Sequence, residues 1–87
     1  MEWVYLEGIN RVNVSYKVWR QTRRSLRTAK KDPAVSRQSI KFLKEDVEYE
    51  YDELIDAILS LQSSELNDML RTVKSDRLYQ LIQAHKN

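Results

Sequence analysis

The stretch "EDVEYEYD" sets four carboxylates at alternate positions, Asp46, Glu48, Glu50 and Asp52, and this is the pattern in the chain that most resembles a ligand set. A calcium loop draws its ligands from alternate positions, but it also needs a glycine at its sixth position and a bidentate glutamate at its twelfth. Counted from Asp46, those positions hold Tyr51 and Ala57. A di-iron bundle site would need Glu-x-x-His pairs, and the chain has none. The stretch therefore reads as an acidic helix face, and no metal site is expected. Catalysis by a protein side chain needs a positioned acid, base or nucleophile. There is no cysteine, the single histidine is His85 near the C-terminal end, and no serine or threonine has a base close by in sequence. No catalytic residue and no cofactor site are expected, and the chain reads as something other than an enzyme.

The other charged stretch, "RQTRRSLRTAKKD", carries Arg20, Arg23, Arg24, Arg27, Lys30 and Lys31 with no acid before Asp32. Between Glu7 and Asp32 the chain has no carboxylate at all. A solvated helix face normally mixes signs, because Glu and Lys a turn apart support the helix. One charge repeated without relief costs stability and suits an anionic partner. The net charge of +2 over 87 residues conceals this segregation.

The elements that hold these charges follow from punctuation and period. One glycine and one proline in the whole chain fall far below ordinary usage, so long helices with few connections are expected. Ile9, Val12, Tyr16, Trp19 and Leu26 keep spacings that suit one helix stripe, with Arg23 in the slot that would complete it. Ile40, Leu43, Val47, Tyr51, Leu54, Ile58 and Leu61 do the same downstream, and Ile55 and Leu59 widen that stripe. Asp32 is a good N-cap and Pro33 suits a first helical position, while the residue before proline is pushed out of the helical region. The expected elements are a first helix over 8–31, a second over 33–61 and one or two C-terminal helices over 64–85, with residues 1–7 as an arm that is either extended or helical. Ser63 and Ser64, then Ser75 or Asp76, supply the caps for the tail. The alternation in "DVEYEYD" would suit a strand, but nothing else in the chain could pair with it, so helix is expected there too.

A short link makes neighbouring helices antiparallel. Folding at Asp32 sets Leu26 near Ile40, Trp19 and Tyr16 near Leu43 and Val47, Val12 near Tyr51, and Ile9 near Leu54 and Ile55. The expected fold is all-α, a long antiparallel helical hairpin with one or two short C-terminal helices, forming a single small helical bundle. In that register the basic residues of the first helix meet Arg37, Lys41 and Lys44 of the second, which gives a basic hairpin tip and an acidic base. The candidate binding residues are Arg20, Arg23, Arg24, Arg27, Lys30, Lys31, Arg37, Lys41 and Lys44.

A protein partner with an acidic surface is the first expectation, the chain acting as a small regulator or inhibitor that docks on a larger assembly. Nucleic acid held by the same tip is the alternative. A homo-oligomer, basic tip on acidic base, would also use the segregation, and a chain this short gains from added burial. The aromatic residues Phe42 and Tyr49 fall off the main stripe of the second helix, which places them under the tail helices or against another chain. The first residues lack a basic leader and a long apolar core, and no stretch approaches the ~20 apolar residues of a membrane span. A cytoplasmic protein without a membrane partner is expected.

Overall fold

The computed structural model describes residues 7–86. Four helices follow in order: α1 (Gly8–Lys31), α2 (Arg37–Leu59), α3 (Ser63–Thr72) and α4 (Asp76–Ala84). The chain is all-α, and "DVEYEYD" lies within α2. The expectation for an N-terminal arm falls, apart from Glu7, outside the described residues.

Each boundary has a local cause. Glu7 is extended, and Gly8 opens α1 with φ of +60°, a conformation that only glycine adopts without strain. A Cβ at Gly8 would also overlap the Glu65 carboxylate of α3. Lys30 and Lys31 occupy the last turn of α1, where the helix dipole favours cations. Ser36 caps α2, its Oγ accepting from the Ser39 N–H at 3.1 Å. Glu65 Oε1 accepts from the Gln62 N–H at 3.0 Å at the start of α3, and Ser75 Oγ accepts from the Leu78 N–H at 3.3 Å at the start of α4. The tail is thus two short helices, the first capped from Gln62 rather than from Ser63 or Ser64.

The second helix begins at Arg37, not at Pro33 as the capping signals suggested. Asp32 ends α1, its N–H donating to Ala29 O, and then closes a β-turn in which the Val35 N–H donates to Asp32 O at 3.2 Å. The Asp32 Oδ1 also accepts from the Ala34 N–H at 2.9 Å. Asp and Pro are favoured at the first two positions of such a turn. The residues that could have started a helix are used in reversing the chain, and Ser36 takes over as cap.

This longer link shifts the pairing from the expected register. Trp19 packs on Tyr51, ring centroids 5.5 Å apart, where Val12 had been expected. Val12, Leu54 and Ile82 are fully buried at the open end of the hairpin, with Tyr16, Trp19, Ala57, Ile58, Met69 and Leu78 around them. Near the turn only Ala29 is buried, while Leu26, Ile40 and Leu43 stay half-exposed. The radius of gyration is 15.1 Å, against about 12 Å for a compact chain of this length, so the two arms project well beyond the covered core.

Truncation should separate the two ends. Leu54→Ala is expected to cost about 2–5 kcal/mol, a large share of the stability of so small a domain, whereas Leu26→Ala should cost under about 2 kcal/mol. Urea unfolding followed by circular dichroism measures both; equal losses would contradict a core confined to the open end.

Candidate functional site

Arg20, Arg23, Arg24 and Arg27 recur at helical spacing along one flank of α1, beside the buried stripe of Val12, Tyr16 and Trp19. The stripe fixes the rotation of the helix, because burying those side chains leaves the arginines no choice of direction. What the flank faces is set by one polar contact. Tyr16 is 8% exposed, and its phenolic oxygen lies 2.7 Å from Ser75 Oγ in the α3–α4 link. A buried tyrosine seeks a partner for its hydroxyl, and here the partner is the residue that caps α4. The start of α4 is thereby held against α1, with Arg77 in its first turn.

The result is an open groove of about 450 Å³ between α1 and the start of α4. Tyr16 and Ser75 form one wall, and five arginines, Arg20, Arg23, Arg24, Arg27 and Arg77, line the rest. Aromatic rings hold two of them. The Arg23 guanidinium lies 4.6 Å from the Trp19 ring centroid and that of Arg20 lies 5.7 Å from the Tyr16 ring. Such stacking restricts a side chain without neutralising it. Among the described residues the ion pairs are Arg11 with Asp56 at 2.8 Å and Glu53 at 3.6 Å, and Arg71 with Asp68. No groove arginine takes part in one. The α4 N-terminus adds partial positive charge, offset by Asp76 in its first turn.

Arg11 shows what the groove arginines lack. It sits on the same helix but opposite the acidic part of α2, and the hydrogen bond to Asp56, helped by the charges of Asp56 and Glu53, raises its pKa despite some desolvation. Positive charge is paired within the molecule at the open end and unpaired further along α1.

The sequence-based candidates divide accordingly. Arg20, Arg23, Arg24 and Arg27 come together, but on the flank of α1 toward α4. Lys30, Lys31, Arg37, Lys41 and Lys44 are exposed on the two arms near the turn and do not line the groove. Arg23, expected in the apolar seam, instead stacks on Trp19 and faces the groove. Arg77 and the contact of the Tyr16 hydroxyl with Ser75 were not anticipated from sequence, where Ser75 was expected only as a cap. The one signal for them was a polar-tipped tyrosine on a core stripe, which demands a partner somewhere.

Among the described residues no group of three or more His, Asp or Glu side chains is placed to hold a metal ion. The His85 ring Nδ1 lies 2.8 Å from Leu81 O at the end of α4. No described helix is long and apolar enough to cross a membrane. No family model, no curated protein and no solved structure matches this chain.

If the Tyr16–Ser75 contact positions α4, Tyr16→Phe should cost about 1 kcal/mol and speed amide hydrogen exchange in the first turn of α4 more than at the α1–α2 seam. Unchanged protection of α4 would contradict that role.

Proposed function

We propose that the chain is a non-catalytic docking module, acting in the cytoplasm, that grips the phosphate backbone of a nucleic acid through the arginines of α1 and α4. The carrying observation is the groove lined by five arginines, none of them paired with a carboxylate among the described residues. Guanidinium forks match phosphate oxygens in geometry and charge, and neutralising a phosphate polymer releases counterions, which drives binding regardless of sequence. The basic arms, with Lys30, Lys31, Arg37, Lys41 and Lys44, extend the same field and would lengthen the track.

An acidic protein surface would meet the same charges, but the groove offers poor anchoring for one. Protein interfaces draw most of their affinity from a few Trp, Tyr and Arg side chains packed in fully desolvated pockets among apolar neighbours, and this groove is open to solvent. Among the described residues the large exposed apolar ones are Val14, Val18, Phe42, Tyr49, Leu59 and Tyr79, and none of these lines the arginine groove. Phosphate binding needs no such anchor.

Binding to a generic duplex or single-stranded oligonucleotide should be detectable at low salt and fall steeply as salt rises. With the groove arginines neutralising phosphates, the log–log slope against salt should be about −4.5 for a duplex. Replacing Arg24 and Arg27 by Gln should reduce its magnitude by about 1 per residue without loss of helicity. Absence of binding at low ionic strength, or binding indifferent to these replacements, would overturn the proposal; capture of an acidic protein by the same face would then be the reading to adopt.

A further inference from the structure

Val14 and Val18 lie on the side of α1 away from the arginines. Val14 and Arg23, and likewise Val18 and Arg27, are separated by about two and a half helical turns, which puts them on opposite flanks. Both valines are exposed, at 43% and 39%, and Tyr49 of α2 beside them is 66% exposed. These three form the apolar part of an open groove of about 470 Å³ between α1 and α2, whose remaining wall carries Asp46, Glu50 and Glu53. Phe42, 53% exposed, continues the same flank of α2 toward the turn, two helical turns from Tyr49. The aromatic residues that fell off the main stripe are therefore covered neither by α3 nor by α4.

Within this groove Glu50 is out of place. Its Oε2 is enclosed by protein and has no hydrogen-bond partner. An enclosed carboxylate oxygen without a donor is costly, and such atoms are rare enough in folded proteins to require a reason. The charged partner available to its acidic neighbours, Arg11, bonds Asp56 and approaches Glu53 and does not reach Glu50.

We infer that this groove is a second docking surface, on the opposite side of α1 from the nucleic-acid face, and that its occupant is a basic amphipathic segment of another protein. The occupant would place apolar side chains on Val14, Val18 and Tyr49 and a Lys or Arg head among the Asp46, Glu50 and Glu53 carboxylates, reaching Glu50 through its part-exposed side. The charge of the surface selects this chemistry: aromatic and apolar anchors supply affinity, and a carboxylate rim rejects acidic segments and steers basic ones. A second copy of this chain laid symmetrically on the same surface would bring two sets of Asp46, Glu50 and Glu53 into one interface, so like charges would oppose a two-fold dimer. The module would then hold nucleic acid on one side and a basic protein segment on the other.

The probe is a pair of amphipathic helical peptides of about 18 residues, long enough to form helix on binding, one built from Leu and Arg and the other from Leu and Glu. Titrated into the isotope-labelled full chain, the Leu/Arg peptide should shift the Val14 and Val18 methyl and Tyr49 ring resonances. The Leu/Glu peptide should not. Glu50→Gln should weaken the Leu/Arg peptide about tenfold, Val18→Asp should abolish its binding, and Arg24→Gln with Arg27→Gln should leave it unchanged. Equal binding of both peptides, binding indifferent to Glu50→Gln, shifts confined to other surfaces, or no binding would each overturn the inference. So would a solution mass showing a dimer that Tyr49→Ser dissociates, because the occupant would then be a second copy. None of these outcomes depends on whether the arginine groove binds nucleic acid.

Discussion

A chain of 87 residues buries too little surface to cover a two-helix hairpin along its whole length, and which end it covers decides everything else. The two short tail helices pack on the open end, where Val12, Leu54 and Ile82 are fully buried. Because α4 must return to that end, its first residues pass beside the middle of α1, and Ser75 meets the Tyr16 hydroxyl. The arginine groove is thus a by-product of packing: the tail helices leave the arms bare and add Arg77 to a flank that is already basic.

The charge distribution follows the same division. Where α1 runs beside the acids of α2, Arg11 is paired with Asp56 and Glu53. About two and a half to three turns later no such pair forms among the described residues, and Arg20 and Arg23 rest on aromatic rings instead. Stacking on Trp19 and Tyr16 restricts the Arg23 and Arg20 side chains and leaves their charge unneutralised. Repulsion among unpaired cations lowers stability, and a domain of this size has little to spare. An anion in the groove would offset that repulsion, which is why binding is the natural reading of an arrangement that folding alone would not favour.

Much of this was legible in the sequence, and the gaps have physical causes. The all-α class, the hairpin and the break near Pro33 follow from helical periodicity and from single glycine and proline residues acting as punctuation. The start of α2 did not, because Asp-Pro is both a helix-start signal and a turn signal, and only the Ser36 cap lying within reach decided for the turn. That choice moved the register and placed Tyr51 on Trp19. The basic residues of α1 could be picked out by type, but their convergence with Arg77 could not, since it depends on a tertiary hydrogen bond between residues far apart in the chain. Tyr49 and Phe42 were readable as misfits on the α2 stripe; their exposure required knowing that the tail helices cover the other end.

The most direct test is nuclear magnetic resonance of the arginine side-chain Nε–Hε groups while an oligonucleotide is added at low salt. If the account is right, the signals of Arg20, Arg23, Arg24, Arg27 and Arg77 shift together and saturate at one concentration, with Arg11 and Arg71 unmoved. If Arg37 near the turn responds and the groove arginines do not, or if no arginine responds, the groove is not where this protein meets its anionic partner.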